Sequence, residues 1–151
     1  MYVSAKVDYG VRALLSLAAA EGAAVNAERL ARLQGLPVDF LENILRDLRV
    51  AGLVTSQRGA EGGYRLARPA GAISVADVIR SLEGPLAEVR GLRPEAAAYE
   101  GAAEHLQDVW IAVRAALRGV LETVSLAHIL EGRFPGPVRR LVDDPEAWTA
   151  H

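Results

Sequence analysis

Residues 36–68 read LPVDFLENILRDLRVAGLVTSQRGAEGGYRLAR, and this stretch decides the fold. From Val38 to Val50, Leu41, Ile44, Leu45 and Leu48 recur at helical spacing, while Asp39, Glu42, Asn43, Arg46 and Arg49 fall on the other faces. Such a helix buries one stripe and offers the rest to solvent or to a partner. Gly52 stops it. The runs LVTSQ (53–57) and YRLAR (64–68) have strand character. Between them Arg58-Gly59-Ala60-Glu61-Gly62-Gly63 carries three glycines, which permit the positive φ angles a hairpin tip requires. A helix that leads straight into a basic-tipped hairpin is the reading half of a winged helix-turn-helix. The helix is sized for the major groove of DNA, and the hairpin can lie along the neighbouring backbone.

Working outward toward the N-terminus, Val7, Val11, Leu14 and Ala18 step by four, three and four, which predicts a helix over Val3 to Ala20 with Gly22 as its stop. Asn26 suits the N-cap of a short helix from Ala27 to Gln34, with Leu30 and Leu33 facing inward and Gly35 in the left-handed closing position. Pro37 opens the next helix. Two helices across a tight glycine-containing turn have helix-turn-helix spacing. An ordinary helical hairpin has it too, and the glycine-tipped hairpin that follows favours the first reading.

Toward the C-terminus, Ser74 and Asp77 make a capping-box-like pair with an Ile73–Val78 staple, which predicts a fourth helix to about Leu82, ended by Gly84-Pro85. Residues 85–101 scatter glycine and proline among charges and read as a connector or sensor region with at most a short helical turn. From Ala102 to Val124 the residues Leu106, Trp110, Val113, Leu117, Val120 and Val124 form one apolar seam, along roughly 34 Å of helix at 1.5 Å per residue. A small winged domain offers too little surface to cover it. The seam therefore predicts a dimerisation helix crossing its twin, as paired half-sites on DNA would suit, against the alternative of packing back on its own domain. Ser125 caps a short helix from Leu126 to Glu131. The remainder, 132–151, with Pro135, Pro137, Pro145 and the pair Asp143-Asp144, reads as an irregular tail with Trp148 anchoring its end. The expected architecture is mainly α: a winged helix-turn-helix domain with a small β-hairpin over 1–84, the connector over 85–101, the dimerisation helix and its short successor over 102–131, and the tail.

Bulk properties narrow the function classes. A chain of 151 residues fits one domain plus an appendage. It contains no cysteine, which removes disulfides, thiolate metal sites, cysteine nucleophiles and any cluster held by cysteines, and fits a reducing cytoplasm. No apolar run approaches the roughly 20 residues of a membrane span, and MYVSAKVDYG lacks the apolar core of a secretory signal. The expectation is a soluble, unprocessed cytoplasmic protein. Its net charge of −2 is unevenly spread: residues 1–70 hold nine Lys/Arg against seven Asp/Glu, and residues 71–151 eight against twelve. The basic excess lies where phosphates would be met. Lys6 is the only lysine, and in a chain this rich in arginine each isolated Arg carries little weight.

Enzymatic chemistry finds few candidates. His105, His128 and His151 stand far apart, and no serine has a histidine base placed near it. Residues 59–63 lack the downstream helix and Lys-Ser/Thr pair of a phosphate loop. Glu100, Glu104, His105 and Asp108 could hold a metal, but hydrated surface charge explains them better. We expect neither an enzyme nor a metal or other cofactor.

The segments Ser4–Leu14, Phe40–Leu45, Leu48–Val54, the hairpin Arg58–Ala67 and Ile73–Pro85 together resemble the Rrf2 family of bacterial winged helix-turn-helix transcription regulators, the group that includes the IscR, NsrR and CymR types. The likeness runs nearly without gaps from Val3 to Pro85 and resumes at Trp110. It implies a dimeric repressor or activator on double-stranded DNA whose long C-terminal helices cross between subunits. Members that sense iron, nitric oxide or redox state carry cysteines in the connector, and here Ala87 to Gln107 has none, so the chain is identified with the cysteine-free branch. There the signals are a docked metabolic enzyme or a small-molecule effector, sometimes linked to sulfur metabolism. The reading is a repressor on a palindromic operator; the alternatives are a module acting mainly by docking an enzyme, and a ligand sensor with a pocket near Tyr99 and Trp110.

Residue by residue, Arg58 can reach a phosphate or guanine O6 and N7, and Gly59, Gly62 and Gly63 let the backbone approach. Asn43 can pair with adenine, and Glu42 either accepts from a cytosine amino group or is simply solvated. Asp39 favours the helix N-terminus, and Arg49 shares the exposed face. The resemblance assigns Ser4, Lys6 and Tyr9 to the DNA backbone, although Tyr9 suits the core equally well.

Overall fold

The computed structural model describes residues Met1–His151. Three helices build the frame: α1 (Ala5–Ala19), α2 (Ala27–Gln34) and α3 (Val38–Val50). Ser4 caps α1 by accepting the Val7 amide proton at 3.2 Å, and Asn26 caps α2 by accepting from Arg29 N–H at 2.8 Å. Gly35 closes α2 at φ 64°, and Pro37, extended, turns the chain into α3. Leu14, Leu30, Leu41, Ile44, Leu45 and Leu48 are fully buried and form the centre of the core. One inward assignment fails: Leu33 is 59% exposed, because the eight-residue α2 turns only Ala27, Leu30 and Ala31 into the core.

After α3 the chain forms the antiparallel hairpin β1 (Val54–Gln57) and β2 (Gly63–Leu66), in register Val54 opposite Leu66 and Gln57 opposite Gly63. Val25, between α1 and α2, exchanges hydrogen bonds of 3.0 and 2.8 Å with Tyr64, so β2 gains a one-residue third strand. The wing is thereby tied to the body of the domain. Helix α4 (Val75–Glu83) begins with the expected capping box, Ser74 with Asp77 at 2.9 and 3.0 Å, and Ile73 and Val78 beside it are fully buried.

The C-terminal third departs from the expected boundaries. The long helix α5 covers Leu106–Leu121, about 24 Å at 1.5 Å per residue rather than 34. Its start is delayed by Gly101 at φ 61° and a 3-10 turn over Gly101–Ala103. At its end Val124 leaves the helix altogether: Val75 N–H donates to Val124 O and Leu126 N–H to Ile73 O, both at 3.0 Å, so Ser74 and Ser125 face each other as an antiparallel bridge. Val124 is buried there and does not belong to the seam. Ser125 caps α6 (Leu126–Glu131), which packs Leu126 into the main core. The tail is not irregular. Residues Gly136–Asp143 form α7, with Pro137 in the first turn, Val138 buried and Arg139 bound to Asp143, followed by a 3-10 turn over Pro145–Trp148. Pro137 is one of the prolines that make the tail read as irregular, but in a first turn its missing N–H costs nothing. Trp148 anchors this end by donating Nε1–H to Val142 O at 2.7 Å while staying 77% exposed. No helix is long and apolar enough to cross a membrane.

Candidate nucleic-acid interface

Helix α3 presents Asp39, Glu42, Asn43, Arg46 and Arg49 on its outer side, all exposed. The burial of its apolar stripe fixes their direction. Asp39 lies in the first turn, where an anion is favoured, and the arginines follow toward the C-terminal end. Arg49 donates from Nη1 to Ser56 Oγ at 3.3 Å, which joins α3 to β1. Arg65 projects from β2, and Arg58 stands exposed at the tip without an ion pair. The outcome is a face whose first half carries acid and amide groups and whose second half, with the wing, is basic. Such a face can read base edges at one end and hold phosphates at the other. Arg46, 3.7 Å from Asp47, and Arg65 add to this basic half, and nothing local in the sequence marks either of them out.

The hairpin glycines separate into two kinds. Gly59 has φ 107° and open space around it, as a tip requires. Gly63 also has positive φ, but a Cβ there would lie 2.5 Å from the Val25 carbonyl carbon, so the residue is small because the third strand lies against it. Gly62 does not have positive φ. Its Cβ would meet Gln57 O at 2.2 Å, so its smallness serves the tightness of the turn. Gly62 and Gly63 thus have structural reasons to be glycine that need no DNA.

Ser4, Lys6 and Tyr9 each have internal partners. Ser4 hydrogen-bonds Glu83 as well as its own helix. Lys6 Nζ lies 2.9 Å from Asp47 Oδ2 and donates to Leu82 O at 3.3 Å, tying α1 to α3 and α4. The hydrogen bond from Lys6 and its charge hold the Asp47 carboxyl below the usual range, with Arg46 adding to them. Tyr9 stacks edge-on against Phe40, with centroids 5.6 Å apart, and lies under the Arg12 guanidinium.

The predicted seam divides. Trp110, Val113, Leu117 and Leu121 lean toward the chain's own body, lining with Met1, Val7 and Ile79 an apolar groove of about 340 Å³. Trp110 Nε1–H donates to the Tyr99 hydroxyl oxygen Oη at 3.0 Å, so the two residues proposed to flank a ligand pocket are joined to each other while Trp110 also lines this groove. The outer side of α5 carries Val109, Ala112 and Ala116, all exposed, with Val113 at the rim of the groove, and α5 buries no residue fully. Sequence spacing alone does not separate these two faces, because Val113 lies on the rim between them.

A family model described as "Rrf2: Iron-dependent Transcriptional regulator" matches residues 3–132. Rv1287 of Mycobacterium tuberculosis (strain H37Rv), described as an HTH-type transcriptional regulator, is 49% identical over 148 residues, covering 97% of this chain and 92% of its own. The HTH-type transcriptional regulator CymR of Bacillus subtilis is 36% identical over 130 residues, covering 85% of this chain and 89% of its own. Among solved structures, that of B. subtilis CymR, titled the global cysteine regulator, superposes with TM-score 0.73 at 34% identity over 87% of this chain and 98% of the other. T. potens IscR does so with TM-score 0.69 at 36% identity, covering 100% and 93%. The iron in the family's description does not fit the donors here: there is no thiolate, and the structure gathers no group of three or more His, Asp or Glu able to hold a metal ion. Glu104 and His105 approach only to 4.0 Å and are both exposed. With its helix-turn-helix, its tethered wing and these relatives, the chain belongs to the Rrf2 family of DNA-binding transcriptional regulators.

Proposed function

We propose that the protein is a dimeric repressor that binds a palindromic operator in the cytoplasm without sensing a cluster. Each protomer reads one half-site with Asn43 and Glu42 of α3 and steadies it with Arg49 and Arg58. One observation carries the reading: α3 is fixed by four buried residues and aims a polar, partly basic face outward next to an arginine-tipped hairpin. The unburied Val109, Ala112, Val113 and Ala116 stripe of α5 supports dimerisation, since a second copy crossing there would cover it on both chains at once. Residues 1–84 act as the reading domain, 85–101 as the connector and the helices after it as the dimerisation arm.

The test is fluorescence anisotropy against operator DNA selected from genomic fragments. Arg58→Ala should weaken binding to all sequences and flatten the salt dependence by about one unit of slope, while Asn43→Ala should cost about 1–3 kcal/mol and relax preference at one position. Unchanged binding by both variants would remove α3 and the wing as the reading surface.

A further inference from the structure

Residues 71–151 are the acidic part of the chain, yet four of their eight arginines converge. Arg80 near the end of α4, Arg93 in the connector, and Arg114 and Arg118 on α5 line a cavity of about 480 Å³, floored by the backbone of Gly84 to Ala87. Glu95 is the one acid in the lining. It is bound to Arg114, and Glu122 just outside is bound to Arg80 and, at 3.0 Å, to Arg118. Both acids stay ionised: Glu122 is held below the usual carboxylate range by hydrogen bonds from Arg80 and Arg118, and Glu95 by its own backbone N–H and then by Arg114. Four guanidiniums against two carboxylates leave two positive charges uncompensated, and Arg93 takes part in none of these pairs. A structural ion network would need no excess of one sign and no free member.

We infer that this cavity is the binding site for a small metabolite carrying two or more anionic groups, phosphoryl or carboxylate. Guanidiniums grip such groups through paired N–H donors in a fixed plane, which ammonium groups do not provide. The volume falls within the roughly 300–1,000 Å³ of small-molecule sites. Three separate segments supply the arginines, so a ligand held by all of them draws α4, the connector and α5 together. The inference extends the regulator reading by naming the chemistry of a ligand, but it is tested without DNA, so either can fail while the other stands.

Titration calorimetry on the full chain at low ionic strength uses citrate, pyrophosphate and, as a monovalent control, acetate. Citrate, pyrophosphate or both should saturate one site per chain, with acetate at least about tenfold weaker. Whichever of the two binds assigns the site to carboxylate or phosphoryl chemistry. Arg93→Gln, which breaks no internal pair, and Arg114→Gln should each weaken binding about tenfold, and Arg139→Gln on α7 should leave it unchanged. Absence of saturable binding by both polyanions, or an Arg93→Gln chain that binds like wild type, would overturn the inference.

Discussion

Helices α3 and α5 are both amphipathic and of similar length, 13 and 16 residues, but one is complete within the protomer and the other is not. Helix α3 buries Leu41, Ile44, Leu45 and Leu48 and shows charge. Helix α5 buries nothing fully, leans Trp110, Leu117 and Leu121 on a shallow groove, and shows valine and alanine. A polar outer face needs water or phosphate, whereas an apolar one is left over from a surface that a single chain cannot close. The difference is what places the proposed dimer contact on α5 rather than on α3.

The largest effect that could break this contrast is a paired substitution. Leu45→Ala in α3 should destabilise the fold by about 2–5 kcal/mol in urea melts, the cost of a leucine-sized cavity in a closed core. Val109→Asp on α5 should change the protomer's own stability by no more than about 0.5 kcal/mol while converting dimer to monomer in sedimentation velocity. A dimer that persists in Val109→Asp would move the interface elsewhere and dissolve the distinction.

A smaller effect sharpens it at the wing. Gly63→Ala must place a Cβ against the Val25 backbone at a positive φ, whereas Gly59→Ala has the φ but meets nothing. The strain common to both is about 1 kcal/mol. Gly63→Ala should lose more than this and release Val25 from β2, seen as faster amide exchange at Val25 and Tyr64. Equal losses in the two variants would mean that the third strand contributes little.

The smallest effect concerns Lys6 and Asp47. The Asp47 carboxyl has a folded pKa below its ordinary 3.8, so its contribution to stability is present above that value and fades as pH falls through the lower folded one. Both side chains are about a third exposed, and screening limits the pair to about 0.5 kcal/mol. Lys6→Gln should therefore be slightly less stable than wild type at neutral pH and equal to it near pH 2. A gap that does not change with pH would assign the loss to packing of the lysine stem.

What sequence made legible follows the same division. The stretch from Asn26 to Leu82 declares itself through local chemistry, namely caps, stops and a period of 3.6, and its α2, α3 and α4 fall where those signals put them. The exceptions are instructive. Val124 has helical spacing but is taken by the bridge to α4, a long-range pairing with no local mark. Pro137 looks like a terminator and begins a helix. The arginine cavity draws on residues 80, 93, 114 and 118, each unremarkable in an arginine-rich chain, and only folding brings them together. Ser4, Lys6 and Tyr9 show the converse, since the resemblance that assigns them to the DNA backbone carries no sign of their internal partners.

The bridge between Ser74 and Ser125 sets back to back the starts of α4 and α6, each with its own capping box. It rivets the downstream end of α5 to the DNA-reading domain, while the upstream end rests on the connector through Gln107, which donates to the Pro94 and Glu95 carbonyls at 3.2 and 3.1 Å. Helix α5 is thus held at both ends, downstream by the bridge next to residues 122–125 and upstream by the connector, where Trp110–Tyr99 and Arg114–Glu95 add to the Gln107 bonds. Should two copies pair through α5 as proposed, this double attachment makes the helix the one rigid element that joins the connector, the reading domain and the partner.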